Sequence, residues 1–440
     1  MLDRFRWYLL GLLLVGMPYG TFLLAAGEHA AGPLPTLILK ALTGWKEALV
    51  LVCGLAALVG RRFPKPLPFE RWLLTFAVLG TVFGALIVHK PASIIFGFRY
   101  DFLPLAAYGI ARASSVSRAR LEQVIRWVLY SGVPVLAFGI LQTVALPKDF
   151  LARFGYSDVV SVTGNPLPPY HLIGEGIVRA MATFPGPNSL AMYAAQLALL
   201  AGCAIAPKRW RYLYVVLALV ALLLTFSRGH LLALAAALVI GLGMRYVPEQ
   251  RRSAAVILAV FAVILASTLA TIALGSHQEG ATVLESLITH DTSTTIHADV
   301  RVEAWHKFQV KPFGSGLGTA GLATTNTSGT VFNPESWYLQ ILDELGGWGL
   351  LLALAAIAAT LSELVRRFDR SDPLTVYFLL GFIELVIGCN FLPDWFEVGS
   401  LLWWILFGIY VSHVKENRPQ EGGLGATQTS KAEPLLSKTK

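Results

Sequence analysis

Long apolar runs, separated by short polar joints, recur along the chain from residue 7 to residue 414. The runs are nearly continuous rather than alternating with a period of 2. Each approaches the roughly 20 residues that carry an α-helix across a bilayer core. This pattern predicts about twelve spans, near 7–26, 36–60, 72–88, 99–112, 121–145, 189–206, 211–227, 230–244, 253–275, 337–363, 373–390 and 399–414. The fourth is short and begins outside the hydrocarbon. The expected class is therefore all-α, a polytopic integral membrane protein with a transmembrane domain over 1–414. No fixed-period repeat is visible, and the Gly-, Ser-, Thr- and Lys-containing tail 415–440 reads as disordered.

Two polar intervals break the apolar pattern, at about 147–187 and 276–336. Connections of this length are uncommon unless they are functional or disordered. Both contain aromatic residues and arginine, and the second contains an amphipathic helix around His297–Lys311, which favours function.

Composition strengthens this picture. Hydrophobic residues make up 55% of the 440 and charged residues only 14%, against about a quarter in soluble chains. The net charge of +8 does not call for a nucleic-acid partner, because Lys and Arg in membrane proteins first report orientation. Arg4, Arg6, Arg61, Arg62, Arg112, Arg118, Arg209, Arg251, Arg366 and Arg367 gather on one side of the expected spans. That side is the cytoplasm, which puts both termini inside and the two long loops outside. The N-terminus resembles a signal peptide but is read as a retained first helix. Cys53, Cys203 and Cys389 each lie inside an apolar run, as small packing residues rather than a disulfide or metal framework.

Orientation does not explain the basic residues of the other face: Arg99, Arg179, Arg228 and Arg301. Each is either a snorkelling anchor or paired with a nearby carboxylate, Asp101 for Arg99 and Glu303 for Arg301, or else part of an anion site. Arg228 resists the first reading most, since it sits in a joint of about three residues between two spans. Several guanidinium forks facing one cavity would suit a diphosphate.

Thr225-Phe226-Ser227-Arg228-Gly229, Arg301 with Trp305, the turn Gly314-Ser315-Gly316-Leu317-Gly318, and the run from Glu335 through Trp337-Tyr338-Leu339-Gln340 to Gly346 together resemble the O-antigen ligase and polymerase superfamily. Gly97-Phe98-Arg99-Tyr100 and Phe184-Pro185-Gly186-Pro187-Asn188 fit its earlier segments. The resemblance covers about residues 95–365. It implies a GT-C-like glycosyltransferase of the bacterial inner membrane, with its active site on the periplasmic face and a large periplasmic loop carrying short helices. Its donor would be an oligosaccharide on undecaprenyl diphosphate, and its acceptor a growing repeat unit or lipid A-core. The reaction would need no metal and no cofactor, and other polysaccharide-assembly proteins are possible partners. Arg228 and Arg301 correspond to the arginines that hold the diphosphate, with Arg99 and Arg179 as further binding candidates. Ligases of this superfamily usually carry a His-Asn pair where this chain has Glu335-Ser336. Glutamate there tilts the reading from ligase towards polymerase.

Chemistry makes Glu335 the candidate base. The acceptor hydroxyl must lose its proton as it attacks, and the departing diphosphate needs positive charge. The inverting reaction thus divides between Glu335 and the arginines Arg228 and Arg301. Asn333-Pro334-Glu335 reads equally as an ordinary helix start, with Asn333 as N-cap. His230, His297 and His306 are rival bases or binding groups, each also readable as a plain hydrogen-bonding histidine. Trp305, Trp337 and Tyr338 are candidates to stack on sugar rings or to sit in an interfacial belt. Asp343 and Glu344 read as structural partners inside a span. The G-x-G-x-G run reads as a flexible turn beside the diphosphate cavity, and no metal-ligand spacing occurs. A transporter or lipid flippase is the alternative of another class. It is less favoured because the unusual charges lie at span ends rather than at the bilayer midplane.

Overall fold

The computed structural model describes residues 2–32, 44–60, 64–114, 116–160, 166–173, 176–204, 208–276, 292–327 and 332–416. The expected tail beyond 416, the start of the expected span 36–60, Arg61, Arg62 and residues 277–291 of the second loop lie outside them.

The chain is helical almost throughout. The N-terminal part comprises α1 (Leu2–Gly16), α2 (Gly20–Ala31), α3 (Trp45–Val59), α4 (Pro68–Val88), α5 (Pro91–Asp101), α6 (Leu103–Arg112) and α7 (Arg118–Val144). After the first long loop come α8 (Pro187–Ala204), α9 (Lys208–Leu224), α10 (Arg228–Gly243) and α11 (Glu249–Ser276). The second loop carries α12 (Thr292–Val310) and α13 (Ala323–Thr327), and the chain closes with α14 (Trp337–Arg366), α15 (Pro373–Gly388) and α16 (Val398–Glu416). The expected helix near His297–Lys311 is thus present, and the first loop forms two small antiparallel hairpins. One joins β1 (Ser157–Val160) to β2 (Pro166–Leu167), and the other joins β3 (Leu172–Ile173) to β4 (Ile177–Val178).

Among the described residues, five stretches are long and apolar enough to cross a membrane: Arg6–Ala30, Pro68–Val88, Arg118–Val144, Glu249–Thr271 and Trp337–Arg366. The pair α5 and α6, bent by 60°, makes a sixth if it acts as one broken span. Pro104 accounts for the bend, because it has no N–H to give and its ring collides with the carbonyl four residues back. Several other expected spans form shorter helices: α8, α9 and α10 have 18, 17 and 16 residues. At 1.5 Å per residue these reach only about 24–27 Å, short of a roughly 30 Å hydrocarbon core. Among the described residues, length and composition thus support five or six spans, and the count of about twelve is not confirmed.

Helix α8 runs through the centre, buried without interruption from Ser189 to Ala201, and α7, α9, α10, α15 and α16 pack around it. A helix apolar on all faces belongs in such a place. The basic end of the bundle is tied by its own charges. Arg112 Nε donates to Glu70 Oε1 at 2.9 Å, Tyr108 OH donates to the same oxygen at 2.6 Å, and Arg118 forks onto both oxygens of Asp372.

The glycine-rich run is not a flexible turn. Residues 312–318 wedge into the middle of α14, where Gly346 leaves the helix with φ 72°. Ser315 N–H donates to the Asp343 carbonyl at 2.8 Å and Gly316 N–H to the Glu344 carbonyl at 2.9 Å, while Gly347 N–H turns away to Pro312. The wedge thus takes over carbonyls that an unbroken helix would use. Gly318 has φ +76°, and a Cβ there would lie 2.1 Å from the Ser93 carbonyl oxygen. Gly318→Ala is expected to destabilise the protein by about 1–3 kcal/mol through overpacking, before the left-handed backbone adds its own cost. Thermal denaturation in detergent would read this; an unchanged Tm would show that α5 can shift to make room.

Candidate functional site

The motif segments meet at the end of the bundle opposite the Glu70–Arg112 and Arg118–Asp372 pairs, around the last residues of α15. Arg301 lies on α12 and is buried, with 2% exposure. Its Nη2 donates to the Asn390 carbonyl at 2.6 Å and more weakly to the Glu335 carbonyl at 3.3 Å. Among the described residues its Nε and Nη1 have no hydrogen-bond acceptor. Burial pushes the guanidinium pKa down to about 10, so it stays charged at neutral pH. The expected pairing with Glu303 does not occur, because Glu303 faces the solvent side of α12 and bridges to Lys307 at 3.0 Å.

Glu335 is not the first-turn residue of an ordinary helix start. The helix begins at Trp337 with Ser336 as its N-cap, and Asn333 accepts the Glu335 N–H at 3.1 Å in a turn outside the helix. Glu335 itself adopts φ 51°, a left-handed conformation that costs a non-glycine residue on the order of 1–3 kcal/mol. Four described non-glycine residues have positive φ, and two of them, Phe226 and Glu335, lie in motif segments. Strain concentrated in this way is a feature of functional sites.

Phe226 belongs to the three-residue joint between α9 and α10. Thr225 Oγ1 donates to the Leu222 carbonyl and accepts the Ser227 N–H, which shapes the turn. Arg228 is the exposed first residue of α10, where the helix dipole is already positive. Arg179 braces this joint from the first loop: its Nε donates to the Thr225 carbonyl at 2.7 Å and its Nη2 to Asn188 Oδ1 at 3.2 Å. Next to it, burial and then the Arg179 charge hold the His171 imidazole below its ordinary pKa.

Other expected site residues stand elsewhere. His230 is fully buried and pairs through Nδ1 with Glu384 Oε1 at 3.0 Å, so it is a bundle residue rather than a substrate contact. Trp337 is 1% exposed and stacks on Trp395 with centroids 4.3 Å apart. Tyr338 is also buried and donates to the Val386 carbonyl at 2.6 Å. Neither presents a face for a sugar, because both lie on the inner side of the helix start. Trp305 and His306 are exposed on α12; Trp305 rests against Phe308 and His306 against Gln309. His297 lies in α12. Arg99 pairs with Glu47 at 2.6 Å instead of Asp101. Asp101 is fully buried and takes part in the structural pairing expected for Glu344, joined by Gln340 Nε2 at 2.9 Å.

A cavity of about 1580 Å³ opens among α2, α3, α4, α5 and α6. Its walls are mainly aliphatic and aromatic, with Lys46, Glu47, Arg99 and Glu397 in one polar cluster and Glu70 and Arg112 in another. It exceeds the roughly 300–1,000 Å³ of small-molecule pockets, and its mainly apolar walls suit a lipid chain. Arg228, Arg301 and Glu335 do not line it. The turn Asp394–Phe396 stands between the two regions, with Trp395 against Trp337 and Phe396 against Tyr100 at 4.3 Å. Among the described residues, no group of three or more His, Cys, Asp or Glu is placed to hold a metal.

Residues 213–354 match a family model described as O-antigen ligase. Over this segment, less than half of the chain, the match supports a place in the O-antigen ligase and polymerase superfamily. It contains Arg228, Arg301 and Glu335, whereas Arg99, Arg179 and the end of α15 lie outside it. No curated protein matches the chain significantly.

Sequence reasoning missed Glu384 and Asn390. A lone carboxylate within the apolar run of α15 was a usable signal for the first, since an ionisable group in a span needs a partner. Asn390, a single amide between Cys389 and Phe391, carried none.

Proposed function

We propose that the protein is a polymerase-like, inverting glycosyltransferase. It would act at the periplasmic face of the inner membrane and move a glycan from undecaprenyl diphosphate to a sugar hydroxyl. The observation that carries this reading is the buried, carboxylate-free guanidinium of Arg301 bonded to the backbone of a strained Glu335. In this mechanism the Glu335 carboxylate takes the acceptor proton as the new bond to the anomeric carbon forms. The bond from that carbon to the phosphate oxygen breaks, and the electron pair leaves on the diphosphate, held by Arg301 and Arg228. Arg301 is covered in this conformation, so donor phosphates reach it only after the 333–336 turn or α12 moves.

The apolar cavity offers room for the donor's prenyl chain. Its charges do not constitute a second reaction centre, because Lys46 and Arg99 already face Glu47 and Glu397. Glu335 in place of the ligase histidine favours a polymerase, with transfer to lipid A-core as the alternative.

Purified protein reconstituted with lipid-linked oligosaccharide is expected to produce a ladder of lengthened chains. A single transfer that requires added lipid A-core would make it a ligase. Movement of lipid without any glycosyl transfer would remove the enzymatic reading.

A further inference from the structure

The three motif elements are all referenced to one short segment at the end of α15, residues 389–391. The Cys389 carbonyl accepts the Trp337 N–H at 2.9 Å, which fixes the first helical residue after the Glu335 turn. The Asn390 carbonyl accepts Arg301 Nη2 at 2.6 Å. The Phe391 side chain packs so close to Gly229 that a Cβ on that glycine would lie 2.6 Å from Phe391 Cβ. The Arg228 turn, Arg301 and Glu335 therefore keep their relative positions only if this segment keeps its own.

The Asn390 side chain anchors it. Its Nδ2 donates to Ser267 Oγ at 2.9 Å and to the Ile264 carbonyl at 3.2 Å, and its Oδ1 accepts from Thr268 Oγ1 at 3.0 Å. Ser336 Oγ, beside Glu335, also approaches Oδ1 at 3.4 Å. The amide is 1% exposed and uses both its donor and its acceptor capacity. A terminus of α15 held only by apolar contacts would be free to rotate, and an error of about 1 Å at a reacting group costs on the order of 100-fold in rate.

We propose that Asn390, outside the matched family segment, is the positioning residue of the site: it locks the end of α15 to α11 so that its backbone sets Arg301 against Glu335. This rests on the transferase reading. Asn390 touches no substrate and acts through Arg301 and the Glu335 turn.

The test is a cycle of variants assayed with undecaprenyl-diphosphate-linked oligosaccharide, following kcat and KM separately. Asn390→Ala is expected to lower kcat by at least tenfold with less than a threefold change in KM for the donor. Introduced into Arg301→Lys, which lacks the fork that the Asn390 carbonyl orients, it should cost less than threefold. A merely structural role would instead multiply both backgrounds by the same factor, and that result would overturn the proposal, as would wild-type kcat in Asn390→Ala. Should Asn390→Ala not fold, Ser267→Ala combined with Thr268→Val removes its anchors and is expected to show the same dependence on background. If Arg301→Ala retains wild-type transfer, the diphosphate-clamp reading fails first. If Arg301→Ala is inactive while Asn390→Ala is normal, only the positioning role is lost.

Discussion

Arg301→Ala is expected to reduce glycan transfer by roughly 10²–10³-fold, the usual cost of removing one group that stabilises a departing anion. The protein should still insert and fold, because the change removes a buried charge that no carboxylate balances among the described residues. The sign follows from the guanidinium's depressed pKa of about 10. A base whose pKa falls on folding makes the folded state less stable at pH values below that pKa, and the penalty is relieved as pH rises through about 10. At neutral pH the penalty stands in full, and an anion beside Arg301 would offset it. Undecaprenyl diphosphate should therefore raise the Tm of the wild-type protein, by an amount corresponding to about 2.7 kcal/mol at a hundredfold excess over Kd. The same ligand should give a much smaller shift in Arg301→Ala. Wild-type turnover in that variant would remove the clamp from the mechanism.

Glu335→Gln carries the second large effect. Glutamine keeps the size of the side chain, and the Glu335 N–H bond to Asn333 Oδ1 that shapes the turn is left in place. The variant should therefore fold normally while losing the proton acceptor, at a cost of about 10²–10⁴-fold in kcat. His306→Ala provides the contrast. His306 lies on the exposed side of α12, against Gln309, and its loss should change kcat by less than about twofold. Activity retained in Glu335→Gln and lost in His306→Ala would reassign the base. A different outcome, loss of folded protein in Glu335→Gln, would mean that the carboxylate holds the turn, and Glu335→Asp would then separate charge from reach.

The apolar runs were enough to specify a helical membrane protein, because the length and apolarity of a span are local properties of the chain. The motif arginines and Glu335 were legible for the same kind of reason. A charged residue at the end of an apolar run is conspicuous in the sequence, whatever it later touches. Arg301 and Glu335 could be named as candidates, but the bond that joins them runs through a backbone carbonyl, which leaves no mark on residue identity.

Pairings between distant segments were decided only by the tertiary structure. Nearest-neighbour logic paired Arg99 with Asp101 and Arg301 with Glu303, yet Asp101 meets Gln340, 239 residues away, and Arg99 meets Glu47. Trp337 and Tyr338 looked like interfacial aromatics until the kink at Gly346 and the packing of Trp395 showed which side of α14 faces inward. The glycine run looked flexible because glycine permits mobility, whereas here its lack of a side chain permits close packing. The sequence by itself determined the class of the protein, its helical elements and the residues with chemistry to offer. The tertiary structure alone decided which of them are neighbours, because contact depends on how helices cross and where chains end, and Asn390 became visible only once those ends had met.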